Sequence, residues 1–349
     1  MCYTENVESA APEVDIGGAV RLNYGWKDYG DDDSGSFDIE LFRLDVDVKQ
    51  GDLFLDAQYR WYQDFEAVHH AEIGYHLSPD DTVVAGVTQV PFGIESYASH
   101  SFWFSGLYYL GLEDDYDTGF KWRHRQGKWT WDTAWFFSSE YDNAARFGRY
   151  SFDVATTDAS PYKEDGQLNV RGQYNAGPYT AGASAQWGRI DSESLGSGDH
   201  YAVALHVNAN IKQWNLQAQW TAYKYDRDAA TEQQENRIAL SAFNYPFEMA
   251  AEAQVLNLNV ARSFTLDNRF IKKITCYNDH SYIAAGDGVG LDDSVQNVTG
   301  CLLENGGLYT YVDWIAGKNM WFAGGPGVGI DNGESRWHSR LNINIGYYF

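Results

Sequence analysis

No stretch of this 349-residue chain approaches the ~18 consecutive apolar residues that a membrane-spanning helix requires, which excludes a helical bundle in lipid. Basic residues are scarce as well. Against 49 Asp and Glu stand 25 Lys and Arg, and the formal net charge of −24 excludes nucleic acid as a partner. There are three cysteines, Cys2, Cys276 and Cys301, whose spacing matches no zinc or redox pattern. No Gly-x-Ser-x-Gly elbow, phosphate-cradling glycine loop or His-Glu-x-x-His pair occurs, so no enzyme centre is recognisable and no cofactor or metal is expected. The opening residues, Met1 to Pro12, lack the basic start and apolar core of a signal peptide. They are read as a flexible segment, 1–12, of a form from which a signal has been removed.

Aromatic residues, by contrast, are abundant: 25 Tyr, 18 Phe and 13 Trp in a chain with only 7 Pro. A soluble core does not need so many Tyr and Trp, whereas two interfacial belts do. Their arrangement is regular. In the final stretch Leu341, Ile343, Ile345, Tyr347 and Phe349 share one parity, and Arg340, Asn342, Asn344 and Gly346 share the other. A strand here is apolar on one face and polar on the opposite one. The same alternation places Val14, Ile16, Val20, Leu22, Tyr24 and Trp26 against Asp15, Arg21 and Asn23. It recurs along the chain, for example with Tyr201, Val203, Leu205 and Val207 against His206 and Asn208. Residues 82–90 are apolar on both faces and cannot be oriented. A single strand of this kind also suits a sheet packed on a soluble core; about a dozen in succession, with no amphipathic helix to cover them, do not.

The connections alternate too. Short links fall at Gln126-Gly127, Gly177-Pro178, Ile211-Lys212-Gln213 and Gly306-Gly307, and long ones at 91–114, 139–164, 190–199, 227–249, 284–292 and 319–335. Short turns at one end and long loops at the other are what an outer-membrane barrel shows, and neither a sandwich nor a propeller needs them. The expected fold is therefore all-β: a single transmembrane antiparallel β-barrel over 13–349. Residues 235–249 fit either a strand or part of a long loop; reading them as loop gives about 16 strands with both termini at the short-turn end, as an even-numbered barrel requires. The terminal Phe349 is expected in the lipid-facing girdle. This ending resembles the outer-membrane porins, whose last strand typically ends on Phe.

Residues 91–114, running from Pro91-Phe92-Gly93-Ile94-Glu95 to Glu113-Asp114, are too long and too aromatic for a solvated loop. Irregular backbone at membrane depth survives inside the protein or against water, so this stretch is expected to fold into the lumen and narrow the pore. The Pro-Phe-Gly-aliphatic-Glu run resembles the phosphate-selective porin O and P group. That resemblance implies a homotrimeric, 16-stranded outer-membrane porin with an inward-folded third extracellular loop, and basic residues lining the lumen. In the present sequence parity turns Arg21, Arg43, Arg60, Lys121, Arg123, Arg125, Arg171 and Arg340 inward, together with Asp15, Asp45, Asp47, Asp56, Glu72 and Asp132. Arg43, Arg60, Arg123 and Arg125 are expected to form a cationic wall facing the loop. Its acids, Glu95, Glu113, Asp114 and Asp115, oppose that wall and could neutralise it. Facing charges would set up a transverse field that favours polar or anionic solutes.

Three smaller readings remain. Cys276 and Cys301 flank a hairpin, and an oxidising compartment permits a disulfide between them. His69 and His70 are neighbours on a strand, so they should point to opposite faces and share no ion. Asp31-Asp32-Asp33 lacks a calcium-loop spacing and reads as a solvated acidic loop. The functional expectation is passive diffusion of small hydrophilic solutes through the bacterial outer membrane, among lipid and lipopolysaccharide. Its rivals are a barrel enzyme of lipase or protease type and a soluble, Trp-rich carbohydrate-binding β protein.

Overall fold

The structure, a computed structural model, describes residues 11–30, 34–139, 149–323, 325–331, 333 and 336–349. Cys2, Asp31, Asp32, Asp33 and most of the segment 1–12 lie outside them. The wall begins with β1 (Glu13–Lys27), β2 (Ser36–Gln50), β3 (Leu53–Tyr62), β4 (Glu66–His76), β5 (Asp81–Gln89), β6 (Tyr116–Gln126) and β7 (Trp129–Ser139). After β8 (Asp153–Val154), which stands apart, it continues through β9 (Lys163–Ala176), β10 (Tyr179–Ser192), β11 (Gly196–Ile211) and β12 (Trp214–Asp226). Next come β13 (Arg237–Ala242) and β14 (Tyr245–Ala250), again apart, then β15 (Glu252–Thr265), β16 (Lys273–Ala285), β17 (Ser294–Asn305) and β18 (Leu308–Lys318). β19 (Gly327–Val328) stands apart, and β20 (His338–Tyr348) returns to pair with β1. Sixteen antiparallel strands thus close a barrel, leaving no unpaired edge. Beyond β20, Phe349 and Gly18 exchange two backbone hydrogen bonds, of 3.0 and 3.1 Å, which extend the seam.

The sequence alternation becomes an inverted core. On β11 the side chains Tyr201, Val203, Leu205 and Val207 are 41–58% exposed, while Ala202, Ala204 and His206 between them are at most 4% exposed. Apolar side chains therefore face outward around the barrel, where lipid receives them, and polar ones face inward. At the short-turn end Gly51, Gly127, Gly177 and Gly306 each take φ of 60–65°, the left-handed conformation that two-residue hairpins need and that glycine adopts without strain.

Several connections differ from the sequence expectation. The segment expected as a long link at 190–199 is mostly strand, because β10 and β11 pair up to Ser192 and Gly196. Conversely, β15 and β16 are joined at the short-turn end by residues 266–272, so the contrast in link length is weaker than the sequence suggests. Residues 235–249 are not a loop: β13 and β14 form a hairpin flanked by β8 and β19 in a separate four-stranded sheet. They stay out of the wall as expected, but their apolar residues, Ile238, Leu240, Phe247 and Met249, join the hydrophobic core with partners from other loops.

That second sheet caps the long-loop end and shares its apolar side with the barrel interior. Phe152, Val154, Ile238, Leu240, Phe247, Met249 and Val328 pack with Phe92, Ile94, Leu107, Tyr108 and Leu110 of the third loop and with Ile190, Val255, Ile283, Val298 and Ile315 of the wall. The lumen beside β10–β18 is thereby filled with a hydrophobic core. What stays open lies toward β1–β3 and β20.

Candidate functional site

The third long-end connection, residues 90–115, folds into the barrel and lies as a strap along the inner wall. Its backbone carries polar groups that cannot be left unpaired where the protein buries them. Inward polar side chains meet them: Ser184 Oγ accepts from Gly93 N at 2.9 Å, and Gln219 Oε1 accepts from Ile94 N at 2.8 Å. Asn259 donates to Ala98 O at 2.6 Å, Ser281 Oγ accepts from Gly106 N at 2.8 Å, and Gln296 donates to Phe104 O at 2.9 Å. The strap is therefore fixed rather than swinging.

A buried ion network holds its first turn. The Asp132 carboxylate, wholly buried, lies between Arg123 and Arg171, the latter at 3.1 Å. Both guanidiniums also reach Glu95, at 3.1 and 3.6 Å, and Arg171 donates to Gly93 O at 2.8 Å. Lys121 donates to Gln89 O at 3.0 Å, just before the strap begins. Arg125 is exposed at the short-turn end, beside the turn. Of the four arginines expected to face the loop as a cationic wall, Arg123 is engaged in bracing and Arg125 lies away from it.

The strap's remaining acids are buried, Glu113 within the strap's own fold and Asp114 and Asp115 against neighbouring segments. Glu113 accepts from Ala98 N at 3.0 Å, from Ser99 Oγ at 3.2 Å and from the Ser105 hydroxyl. Burial pushes its pKa up to about 7, against the pull of the Ser105 hydrogen bond. Asp114 accepts from the Tyr150 and Tyr116 hydroxyls, and burial raises its pKa despite them. Asp115 is held far above the usual carboxylate range by burial and then by the charges of Asp153 and Glu164.

The open space is a cavity of about 1120 Å³ between the strap and the wall of β1–β3 and β20. Arg21, Arg43, Arg60 and Arg340 line it, with Tyr97, Phe102 and Trp103 of the strap across from them and Tyr245, Trp321 and Phe322 of the capping region above. None of Glu95, Glu113, Asp114 or Asp115 lines it. Arg340 stacks over Trp103 at 4.1 Å and Arg21 over Phe102 at 5.0 Å, while Arg60 stacks over Tyr150 at 4.3 Å. Arg21 is paired with Glu40 at 3.0 Å and Arg43 with Asp45 at 2.7 Å. Arg60 has only neutral partners among the described residues, Gln58 at 2.6 Å and Tyr62 at 3.4 Å, and Arg340 has Tyr29 at 3.4 Å.

Farther toward the short-turn end the sign reverses. Asp15, Asp47, Asp56 and Glu72 are directly opposite one another across β1, β2, β3 and β4. Like charges so placed repel, and the row depends on water to screen it. The sequence suggested opposite charges facing across the lumen. Along this wall the register instead stacks a basic zone above an acidic one.

Two details escaped parity. Opposite β3, the register jumps from Gln58↔His70 to Tyr59↔Val68, which makes His69 an extra, bulged residue. Both His69 and His70 then turn inward, their Nδ1 atoms 2.8 Å apart, so the expectation of opposite faces is corrected. His70 bonds Asp56 at 2.9 Å. A bulge has no signature in the alternation, because it shifts phase by one residue and the flanking residues here fit either phase. Cys276 and Cys301 are directly opposite on β16 and β17 and form a disulfide, with Sγ atoms 2.08 Å apart.

No family model matches the chain, and no curated protein matches it in sequence. Solved structures do. The trimer form of OmpT, an outer membrane protein of Vibrio cholerae, superposes with a TM-score of 0.60 at 13% identity, over 97% of this chain and all of that one. The outer membrane channel DcaP of Acinetobacter baumannii gives 0.65 at 11% identity, over 97% of each chain. An anion-selective porin from Comamonas acidovorans gives 0.61 at 10% identity, over 97% of this chain and all of that one. At such identities the likeness is one of fold: this chain has the closed, transmembrane barrel of the outer-membrane porins.

Proposed function

We propose that the protein is an outer-membrane porin, a water-filled channel through which small hydrophilic solutes diffuse down their gradients, with a bias toward anions. The observation that carries the bias is the division of charge. Arg21, Lys27, Arg43, Arg60 and Arg340 line the cavity against two acids, Asp38 and Glu40, while Glu95, Glu113 and Asp114 of the strap are bonded elsewhere. Guanidinium stays charged at every physiological pH, and a narrow passage with low-dielectric walls amplifies a fixed charge. The strap sets the bore and the arginines act on what enters. Homotrimer formation and residence in the bacterial outer membrane, amid lipid and lipopolysaccharide, belong to the same reading. The trimer form of OmpT and the outer-membrane origin of OmpT and DcaP support it by likeness. Phosphate as the particular solute has no comparable support, since the cavity's arginines are accompanied by aromatic rings rather than by a run of lysines.

The test is the reversal potential of the purified protein in a planar bilayer under a potassium chloride gradient. A potential displaced toward that of chloride is expected. One displaced toward potassium removes the anion bias, and the absence of any conductance removes the channel.

A further inference from the structure

The cavity holds more than charge, and its aromatic lining bears on which anions it would retain. This inference rests on the channel reading and names a solute class for it. Two guanidiniums, those of Arg60 and Arg340, have no carboxylate partner among the described residues and lie against rings instead. Among the buried atoms of the lining, unpartnered donors outnumber unpartnered acceptors. The donors Arg21 Nε, Arg340 Nε, Trp103 Nε1 and Trp321 Nε1 have no hydrogen-bond partner among the described residues, against one unpartnered acceptor, Asn23 Oδ1. Arg21 and Arg340 are covered by their stacks on Phe102 and Trp103, so an occupant must part a guanidinium from its ring to reach them.

A solute that supplies both replacements does this most readily. Its anionic group takes over the guanidinium, and its own flat face takes over the ring thus uncovered. An inorganic anion supplies only the first replacement. A neutral ring supplies only the second, and a cationic ring is repelled by the arginines. At about 1120 Å³ the space accommodates a one-ring or two-ring solute. We propose that this cavity is a saturable binding site for ring-bearing organic anions, with the acid group on Arg60 or Arg340 and the ring against Phe102, Trp103 or Tyr97.

The experiment uses the full chain in proteoliposomes, with sodium benzoate, sodium acetate and benzylammonium chloride as probes. Benzoate influx should saturate, with a half-saturation concentration at least about tenfold below that of acetate, the order expected from one ring stack. Benzylammonium should show no such saturation. Trp103→Ala should abolish most of the tenfold difference, and Arg340→Gln should raise half-saturation for benzoate; Trp131→Phe, on the lipid side, should change neither. Altered gel mobility before boiling identifies any variant that has failed to fold, and for such a variant Phe102→Ala or Trp103→Leu takes its place. Equal behaviour of benzoate and acetate in a conducting wild-type channel overturns the binding site and leaves the porin standing. Failure of every probe and ion to cross overturns both.

Discussion

The Asp279 carboxylate holds His100, 179 residues away in the chain, by both its backbone and its ring, accepting from His100 N at 2.7 Å and from His100 Nδ1 at 2.8 Å. The same carboxylate takes Ser101 N at 2.8 Å. On its other side, His100 Nε2 lies 2.6 Å from Asn215 Oδ1, whose orientation is set because Asn215 Nδ2 donates to both Asn208 and Asn210. With acceptors at both ring nitrogens, the surroundings favour the protonated imidazole.

A pH dependence of the strap follows. Burial alone would lower the His100 pKa, but the Asp279 hydrogen bond and charge outweigh it and raise the value above the ordinary imidazole range. The folded form therefore binds the proton more tightly than the unfolded one. The contribution is complete below about pH 6.5, the ordinary value, and is lost as pH rises through the elevated one. Hydrogen exchange of residues around 97–106 should quicken from pH 6 to pH 9, and His100→Gln should remove that dependence. An exchange rate independent of pH once intrinsic chemistry is subtracted contradicts the anchor.

Asp132→Asn should be severe. Two guanidiniums, of Arg123 and Arg171, would lose the buried carboxylate between them, a loss on the order of 3–5 kcal/mol when a buried pair is broken. The transition in the heat-modifiable gel mobility should move to clearly lower temperature. A shift of no more than a degree or two would show that Glu95 suffices.

Selectivity and bracing should separate in mutants. Replacing Arg60 and Arg340 with Gln should displace the reversal potential toward cations, because both face the cavity unpaired with carboxylates. Arg123→Gln should leave the potential nearly unchanged while lowering stability, since its charge is spent on Asp132 and Glu95. The opposite pattern would place the conducting path along β6 and β7.

Closure of the barrel depends on a small residue at the seam. A Cβ on Gly18 would come within 2.4 Å of Arg43 O and 2.8 Å of Phe349 Cζ. Gly18→Val should cut the folded yield sharply, whereas Gly25→Ala, with nothing closer than 3.8 Å, should fold normally. Comparable yields from the two variants would mean that the seam yields more easily than its packing implies.

Much of the fold was legible in the sequence because lipid and lumen impose a strict two-residue period. Tyr201 to Val207 and Leu341 to Phe349 could be assigned to a face on that basis alone. Parity also placed Arg171 inside, but it could not say whether water or backbone would meet such inward polar groups. That depends on how far residues 90–115 travel across the lumen, which is a three-dimensional fact. For the same reason Arg60 and Arg123 looked alike, although one lines the cavity without a carboxylate partner and the other is paired with Asp132 and Glu95. The β13–β14 hairpin was hidden because its partners, β8 and β19, are only two residues long each.

The capping sheet draws its strands from three separate connections: β8 from the one after β7, β13 and β14 from the one after β12, and β19 from the one after β18. Outer loops of a barrel are ordinarily the parts a lineage can swap, lengthen or delete one at a time. Here a change in any one of the three removes a neighbour from the others and uncovers part of the shared hydrophobic core. Variation at this surface is therefore coupled, and transplanting a single loop from a related barrel should fail where transplanting the three together succeeds.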